Sequence, residues 1–238
     1  MSRQPAAPIP LPDLHGNLLL AALPPDEHLR ILPHLDTLTP RRGESLHRAG
    51  EPVRNVYFPD GGVFSVTRPL PDGTAVEAAA VGREGMLGIE ACLCEDPVSV
   101  GQTLLQIPGG PLRALSVHAF RRELEGRGTL YTVVTRYAQV FLAAVIQSAA
   151  CNALHDARSR CARWLLLAHD RMRHGEFRLS HETLATVLGA SRPTVTLAAL
   201  RLQDEGLITY SHGRVRVVNR PGLERAACLC YPMLRLPF

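Results

Sequence analysis

Four polar side chains close together in the C-terminal third could hydrogen-bond to nucleic acid. Ser191, Arg192, Thr194 and Thr196 follow a glycine-containing turn, and Pro193 lies between them. Serine favours the cap of a helix and proline its first turn, so the donors would project outward from a helix N-terminus. An arginine presented in this way can bind a guanine edge through two hydrogen bonds.

A second helical pattern precedes this one and would support it. Ser180 is placed to cap the supporting helix, followed by His181, and Gly189 would end it because glycine accepts the left-handed backbone of a tight turn. The spacing predicts a helix-turn-helix whose recognition helix lies near residues 191 to 203.

Two short β-type runs follow the second helix. The segments 207–210 and 215–218 flank the turn Ser211-His212-Gly213-Arg214, which favours a hairpin and hence a wing. Basic groups at its tip, and Arg201 on the helix, are suited to phosphate contacts. The predicted DNA-binding residues are Ser180, His181, Ser191, Arg192, Thr194, Thr196, Arg201, His212 and Arg214.

The charge distribution agrees with this placement. Residues 1–156 contain 13 arginines and 16 acidic residues, whereas residues 157–238 contain 13 arginines and 6 acidic residues. The first part has a net charge of −3 and the second of +7, which together give the +4 of the chain. A basic module beside a mildly acidic one is expected where only the second contacts phosphates.

A long apolar-periodic run from Leu130 to Leu154 predicts a helix that mediates self-association. We expect Asp156 to cap the next helix, Ala157–Arg173, and to mark a hinge. The predicted dimer positions share a three-four spacing; they are Val133, Tyr137, Val140, Ala144, Gln147, Cys151 and Leu154.

The N-terminal half has the pattern of an antiparallel barrel or sandwich. Residues 1–14 are proline-rich and predict a flexible lead-in, and apolar positions between Leu18 and Leu38 suggest short helices. Four β-type runs then alternate with turn signals that favour hairpins. These runs are Val53–Phe58, Val63–Thr67, Ala75–Val81 and Gly101–Ile107.

The composition argues against several other classes. Six cysteines are spread through a chain large enough to form its own core, so we expect reduced thiols. Cys92-x-Cys94 and Cys228-x-Cys230 are closer than the usual two-residue metal knuckle, and the predicted strands from 53 to 107 contain no histidine, so neither a metal site nor an enzyme is expected. No secretion signal or membrane span is expected either, which favours a cytoplasmic protein.

The chain resembles the Crp/Fnr family of bacterial transcription regulators, most specifically from Leu179 to Ile208. The resemblance implies an α+β protein with a β-barrel of the cupin-like, cyclic-nucleotide-binding type (15–128), a dimerisation helix (129–155) and a winged helix-turn-helix (156–238). It also implies a homodimer on a palindromic site in double-stranded DNA, with RNA polymerase as a further partner, and no cofactor.

Departures from the family pattern narrow this expectation. In cyclic-AMP responders a glutamate binds the ribose and an arginine-serine pair binds the phosphate, whereas Met86 and Val98-Ser99 occupy those places here. The positions corresponding to the effector pocket are Gly85, Met86, Leu87, Gly88, Val98, Ser99, Val145 and Ile146. We therefore expect no ordinary response to cyclic AMP.

Two other signals stay open. One is a different ligand, such as a cyclic dinucleotide bound by Arg83, Arg136 or Arg158, and the other is thiol redox state. Pro193 and Leu197 also replace charged residues of the family's recognition helix, so the DNA target should differ as well.

Overall fold

A computed structural model describes residues 16–172 and 175–234. The lead-in predicted for residues 1–14 lies outside the described residues.

Two short helices and a strand open the described part of the chain. Helix α1 spans Leu18–Ala21, α2 spans Pro25–Ile31, and strand β1 spans Leu35–Leu38. Asn17 caps α1 and donates from Nδ2 to the carbonyl oxygens of Pro59 and Gly85, at 2.9 and 2.8 Å. The sequence predicts short helices up to Leu38, and this was wrong for Leu35–Leu38, which form β1. This strand pairs with a segment almost eighty residues later in the chain.

The α+β fold class is confirmed. Residues 16–172 contain seven strands in two antiparallel sheets, ordered β1-β7-β3 and β2-β6-β4-β5. The remaining strands are β2 Ser45–His47, β3 Asn55–Pro59, β4 Val63–Pro69, β5 Ala75–Val81, β6 Gln102–Ile107 and β7 Leu112–Ser116. Apolar side chains from both sheets, such as Tyr57, Phe64 and Leu112, form one cluster, so the sheets face each other across a packed interior. We call this two-sheet domain the barrel, although its two sheets are not joined into one closed sheet.

Helix α3, Val117–Glu125, leads from the sheets to the long helix α4, Thr129–Leu154. Glu27 caps α4 by accepting from the backbone N–H groups of Thr129 and Leu130, at 2.7 and 2.9 Å. Desolvation is the largest single effect on the pKa of Glu27 and raises it. The hydrogen bonds to the helix together outweigh desolvation, so the pKa is lowered overall. A carboxylate at this end also matches the helix dipole.

One face of α4 is buried against the chain's own domains. Tyr137 is 1% exposed and donates from its hydroxyl to the Met86 carbonyl oxygen at 3.1 Å, and Cys151 is fully buried. Val133 and Ala144 pack against the same interior clusters. The predicted dimer face was therefore wrong at Tyr137 and Cys151, since neither side chain reaches the surface of the chain.

The opposite face of α4 is exposed. Leu142 and Ile146 are 59% and 61% exposed, although both are large and apolar. By length and composition alone α4 could span a membrane. Its buried residues, Leu130, Val134, Tyr137 and Cys151, pack inside the chain instead.

The C-terminal part is a winged helix-turn-helix, as the sequence predicts. Helix α5 spans Ala157–Arg171, capped by Asp156, which accepts from the N–H groups of Arg158 and Ser159 at 2.9 and 3.0 Å. The later elements are β8 Glu176–Arg178, α6 His181–Leu188, α7 Arg192–Asp204, β9 Ile208–Ser211, β10 Arg214–Val217, α8 Arg220–Ala226 and α9 Tyr231–Leu234. Strands β8, β10 and β9 form one antiparallel sheet.

Helix α5 also contacts the barrel through polar bonds. The indole Nε1 of Trp164 donates to the Glu77 carboxylate at 2.8 Å, and Ser65 donates to the other oxygen of that carboxylate. Arg171 pairs with Glu84 at 2.7 Å and donates to the Ala80 carbonyl oxygen at 3.1 Å. Strand β5 and the loop after it are thereby attached to the C-terminal domain.

The buried Glu77 carboxylate makes stability depend on pH. Desolvation raises its pKa, while its hydrogen bonds and Arg171 act in the opposite direction. A carboxyl whose folded pKa exceeds its unfolded value stabilises the fold most at low pH, and this contribution is lost as pH rises through the folded pKa. We predict that the denaturant midpoint of the wild type falls relative to that of Glu77→Gln between pH 5 and pH 8. Parallel midpoints over this range would contradict the assignment.

Candidate nucleic-acid interface

The turn between α6 and α7 has the geometry that the sequence predicts. Gly189 ends α6 in the left-handed region, with φ 55°. Ser180 caps α6 by accepting from the Thr183 N–H at 3.0 Å, and Ser191 caps α7 by accepting from the Thr194 N–H at 3.4 Å. These local signals fix the angle at which α7 leaves α6.

Helix α7 buries one face and exposes the other. Val195, Ala198 and Leu202 are buried in the core of the C-terminal domain. The exposed face contains polar, basic and apolar side chains, namely Arg192, Pro193, Thr194, Leu197, Leu200 and Arg201. Residues 192–194 at its N-terminus are all exposed, and this is the part of a recognition helix that contacts base edges in a major groove.

Two of the predicted contact residues brace the motif instead. Thr196 is half-buried; its hydroxyl donates to the Arg192 carbonyl oxygen at 2.9 Å and lies 3.0 Å from Nδ1 of His181. The His181 ring packs edge-on against Tyr210, with centroids 4.6 Å apart. Burial and the nearby Arg192 lower the pKa of His181, which keeps the ring neutral. The expectation that Thr196 points outward was therefore wrong.

The apolar residues on the exposed face were not among the predicted contacts. Leu197 and Leu200 are 51% and 48% exposed. An apolar side chain at this position can contact the methyl group of thymine in the major groove. The one-turn spacing between Pro193 and Leu197 is the sequence signal that identifies this face.

The wing is a two-residue hairpin. His212 and Gly213 both have positive φ, 50° and 71°, as a turn matched to the twist of the strands requires. Glu176 of the neighbouring strand β8 pairs with Arg214 and Arg216 of β10, at 3.0 and 3.1 Å. Both guanidinium groups stay more than half exposed, so they remain available to phosphates.

Comparisons with known proteins agree with this geometry. Residues 159–226 match the Crp-like helix-turn-helix domain family. The chain is 27% identical over 194 residues to the transcriptional regulator LdrP of Thermus thermophilus, covering 78% of this chain and 94% of LdrP.

Solved structures show the same fold over most of the chain. A CRP-family transcriptional regulator of Thermus thermophilus is 25% identical with a TM-score of 0.63, covering 81% of this chain and 96% of that one. FixK2 of Bradyrhizobium japonicum has a TM-score of 0.69 at 18% identity, covering 82% of this chain and 98% of FixK2.

Residues 159–226 form a Crp-like helix-turn-helix domain. Over most of its length the chain is also similar to transcription regulators, among them one of the CRP family. Its helix-turn-helix is the Crp-like one, and the exposed face of α7 lies on the recognition helix of that domain.

Two of the residues that the sequence assigns to an effector pocket, Met86 and Leu87, are buried in the core. Met86 is 1% exposed and packs in one core cluster with Phe58, Phe120 and Tyr137. Leu87 is 2% exposed, and its backbone pairs with Tyr57 through bonds of 2.8 and 3.0 Å.

Glycines make this close packing possible. A Cβ on Gly85 would overlap the Tyr137 side chain, and Gly88 has φ 82° as it begins a short 3₁₀ turn, Ile89–Cys92. The two glycines therefore have packing and turn roles here.

A carboxylate from the 3₁₀ turn, that of Glu90, binds the backbone of the loop at Val98-Ser99. Ser99 is 4% exposed and donates to the Gly101 carbonyl oxygen at 2.8 Å. Glu90 Oε1 accepts from the Val100 N–H at 3.1 Å. An acidic group beside this loop disfavours an anionic phosphate.

The two α4 positions assigned to the pocket do not line it. Val145 is half-buried, and Ile146 is exposed on the face of α4 that points away from the barrel. The prediction that Ile146 lines an effector pocket in the chain's own barrel was therefore wrong. Phe141, which packs against both barrel clusters, occupies that side instead.

The thiols fall into two environments. Cys94 is exposed, and Cys92 is half-buried, with burial raising its pKa. Burial raises the pKa of Cys161 to about 12, and it raises the pKa of Cys151 to about 12 while the Arg163 guanidinium opposes the shift. Such groups remain protonated thiols at neutral pH, which makes them slow nucleophiles.

The fold also brings together side chains that the sequence did not connect. Cys151, His155, Cys228 and Cys230 place their sulfur and nitrogen atoms within 4.8 Å of one another. The cluster joins the end of α4 to the segment between α8 and α9. The sulfurs of Cys151 and Cys228 are 3.4 Å apart, although these residues are separated by 77 positions in the sequence.

We predict that Gly85→Ala destabilises the chain by roughly 1–3 kcal/mol, since the added methyl overpacks the barrel at Tyr137. Gly126→Ala is the control: its φ is −66° and the nearest atom to an added Cβ is the Glu123 carbonyl oxygen at 3.8 Å. Urea denaturation should lower the midpoint of the first variant only. Equal midpoints would contradict the tightly filled pocket.

Proposed function

We propose that the chain is a homodimeric, sequence-specific DNA-binding regulator that acts in the cytoplasm. The observation that supports this best is the exposure of residues 192–194 at the N-terminus of α7 within a Crp-like helix-turn-helix. Arg192 and Thr194 face the bases, Leu197 adds an apolar contact, and the wing arginines bind the backbone. RNA polymerase is the further partner that the transcriptional role implies.

The dimer interface of this proposal is the exposed face of α4. Its positions alternate by three and four residues, as in a coiled-coil seam. They are Gln139, Leu142, Ile146, Ala149 and Ala153. The alanines allow two helix backbones to approach closely about a two-fold axis, which would place the two α7 helices for a palindromic site.

The barrel of this proposal does not respond to cyclic AMP. Three observations support this. Met86 and Phe141 pack in the interior of the barrel, and the Glu90 carboxylate binds the loop at Val98-Ser99. Position 98 is a valine, where cyclic-AMP responders have the arginine that binds the phosphate. Arg158 is one of the arginines that could bind another nucleotide such as a cyclic dinucleotide. Its Nε already donates to the Glu205 carboxylate at 3.0 Å.

Arginines on α7 and on the wing should contribute differently to binding. We predict that Arg192→Ala costs about 1–3 kcal/mol per subunit on a selected target and relaxes preference at one base pair, because it removes a base contact. Arg214→Ala should weaken binding to all sequences and reduce the salt slope by about one per subunit.

Gel shifts across a salt series on selected and scrambled DNA measure both effects. The control is Arg48→Ala, an exposed arginine on the barrel, which should leave affinity unchanged. Binding that ignores sequence at every salt concentration would contradict the proposal.

The α4 interface is tested by charge insertion. We predict that Ile146→Glu converts the dimer to a monomer of 26.0 kDa, because it places two carboxylates at the two-fold axis. Leu93→Glu, at a barrel leucine that is 70% exposed, is the matched control and should remain dimeric. Light scattering after size exclusion gives the masses, and a monomeric wild type would contradict the interface.

A further inference from the structure

The cluster of Cys151, His155, Cys228 and Cys230 has the donor set of a metal site. Three sulfurs and one imidazole nitrogen converge, and the three cysteines are buried. Sulfur and imidazole donors favour zinc among the common divalent cations.

The spacing of the donor atoms fits a single tetrahedral ion. Zinc–sulfur bonds of about 2.3 Å and zinc–nitrogen bonds of about 2.0 Å place tetrahedral ligands roughly 3.5–3.8 Å apart. Here the sulfurs of Cys151 and Cys228 are 3.4 Å apart, and Nδ1 of His155 lies 3.4 Å from Cys151 and 3.6 Å from Cys230. These three separations agree with tetrahedral coordination to within a few tenths of an ångström. All four donor atoms lie within 4.8 Å of one another, so shifts of at most about 1 Å would enclose an ion.

Local structure explains the convergence. Cys151 and His155 are one helical turn apart at the C-terminal end of α4, so their side chains share a face. Cys228 and Cys230 flank a turn in which the Tyr231 N–H donates to the Cys228 carbonyl oxygen at 3.1 Å. That turn lets a spacing of one residue direct both sulfurs to the same point.

Groups around the cluster suit an anionic metal complex. Three thiolates and one Zn²⁺ give a net charge of −1. The Arg163 side chain is 5% exposed, its Nε has no hydrogen-bond partner, and its charge acts on both Cys151 and Glu77. Gln147 donates from Nε2 to the Cys230 sulfur at 3.0 Å, the kind of outer contact that orients a metal ligand.

We propose that Cys151, His155, Cys228 and Cys230 bind one Zn²⁺, which fastens the end of α4 to the C-terminal segment beside the Asp156 hinge. This replaces the sequence-based expectation that the chain has no metal site. The proposal does not depend on DNA binding, because it concerns only how these segments are held together.

Metal content of the full chain tests the proposal. Chain loaded with Zn²⁺ under a phosphine reductant and then desalted should contain about one zinc per chain. With Co²⁺ instead, the same chain should show thiolate-to-cobalt charge transfer and the strong visible bands of a tetrahedral site. Zinc well below one per chain, stoichiometric iron or copper in its place, or a Co²⁺ spectrum without thiolate bands would overturn it.

Matched variants locate the site. Cys228→Ser and His155→Gln should reduce zinc affinity at least tenfold, whereas Cys94→Ser, which changes an exposed thiol outside the cluster, should leave it unchanged. Equal loss of zinc in Cys94→Ser and Cys228→Ser would contradict the assignment. Because the Co²⁺ spectrum is recorded on the wild type, the proposal stays testable if a variant fails to fold.

A chelator tests the fastening role. It should lower the melting temperature of the wild type and of Cys94→Ser, because a metal that binds only the folded chain stabilises it. An unchanged melting temperature, or a Cys151–Cys228 disulfide in the reduced and zinc-loaded chain, would contradict the role.

Discussion

The arrangement of the molecule depends on the enclosure of α5 from both sides. A helix on the surface of a domain buries one apolar stripe, but ten of the fifteen residues of α5 are buried. Its apolar positions, including Cys161, Leu165 and Ala168, belong to the core of the helix-turn-helix, while Trp164 and Arg171 bond to the barrel. Because α5 has no free side, the orientation of α7 relative to the barrel follows from how α5 is held.

Buried arginines on α5 restrict how the neighbouring elements can pack against this helix. A buried guanidinium is costly unless its N–H groups find acceptors, so each buried arginine favours one arrangement of its neighbours. Arg171 pairs with Glu84 after β5, and Arg160 donates to the Leu188 carbonyl oxygen at the end of α6, at 2.9 Å. Val76 of β5 packs against Gly189 in the turn of the motif. A shift of the barrel therefore acts on the helix-turn-helix at two places, through α5 and through the turn itself.

Much of the C-terminal domain could be predicted from sequence because its signals are local. Gly189, the serine caps and the wing turn each act within a few residues, and all of them lie where the sequence places them. Strands β1, β2, β7 and β8 were missed because they are short and pair with segments distant in the sequence.

Helix α4 and the thiol cluster show a second limit of prediction from sequence. A three-four spacing marks two stripes on α4, and only the folded chain shows that the stripe with Tyr137 faces inward while the one with Ile146 faces solvent. Likewise Cys151 and Cys228 are remote in sequence and adjacent in space, so counting residues between cysteines did not find the cluster.

We propose that two α7 helices, related by a two-fold axis at α4, read DNA together. Selection of bound sequences from a random DNA pool by the full chain tests this arrangement. We predict a palindrome whose half-site centres are about 34 Å, or roughly 10 base pairs, apart. Enrichment of a single unrepeated motif, or no enrichment over the starting pool, would contradict it.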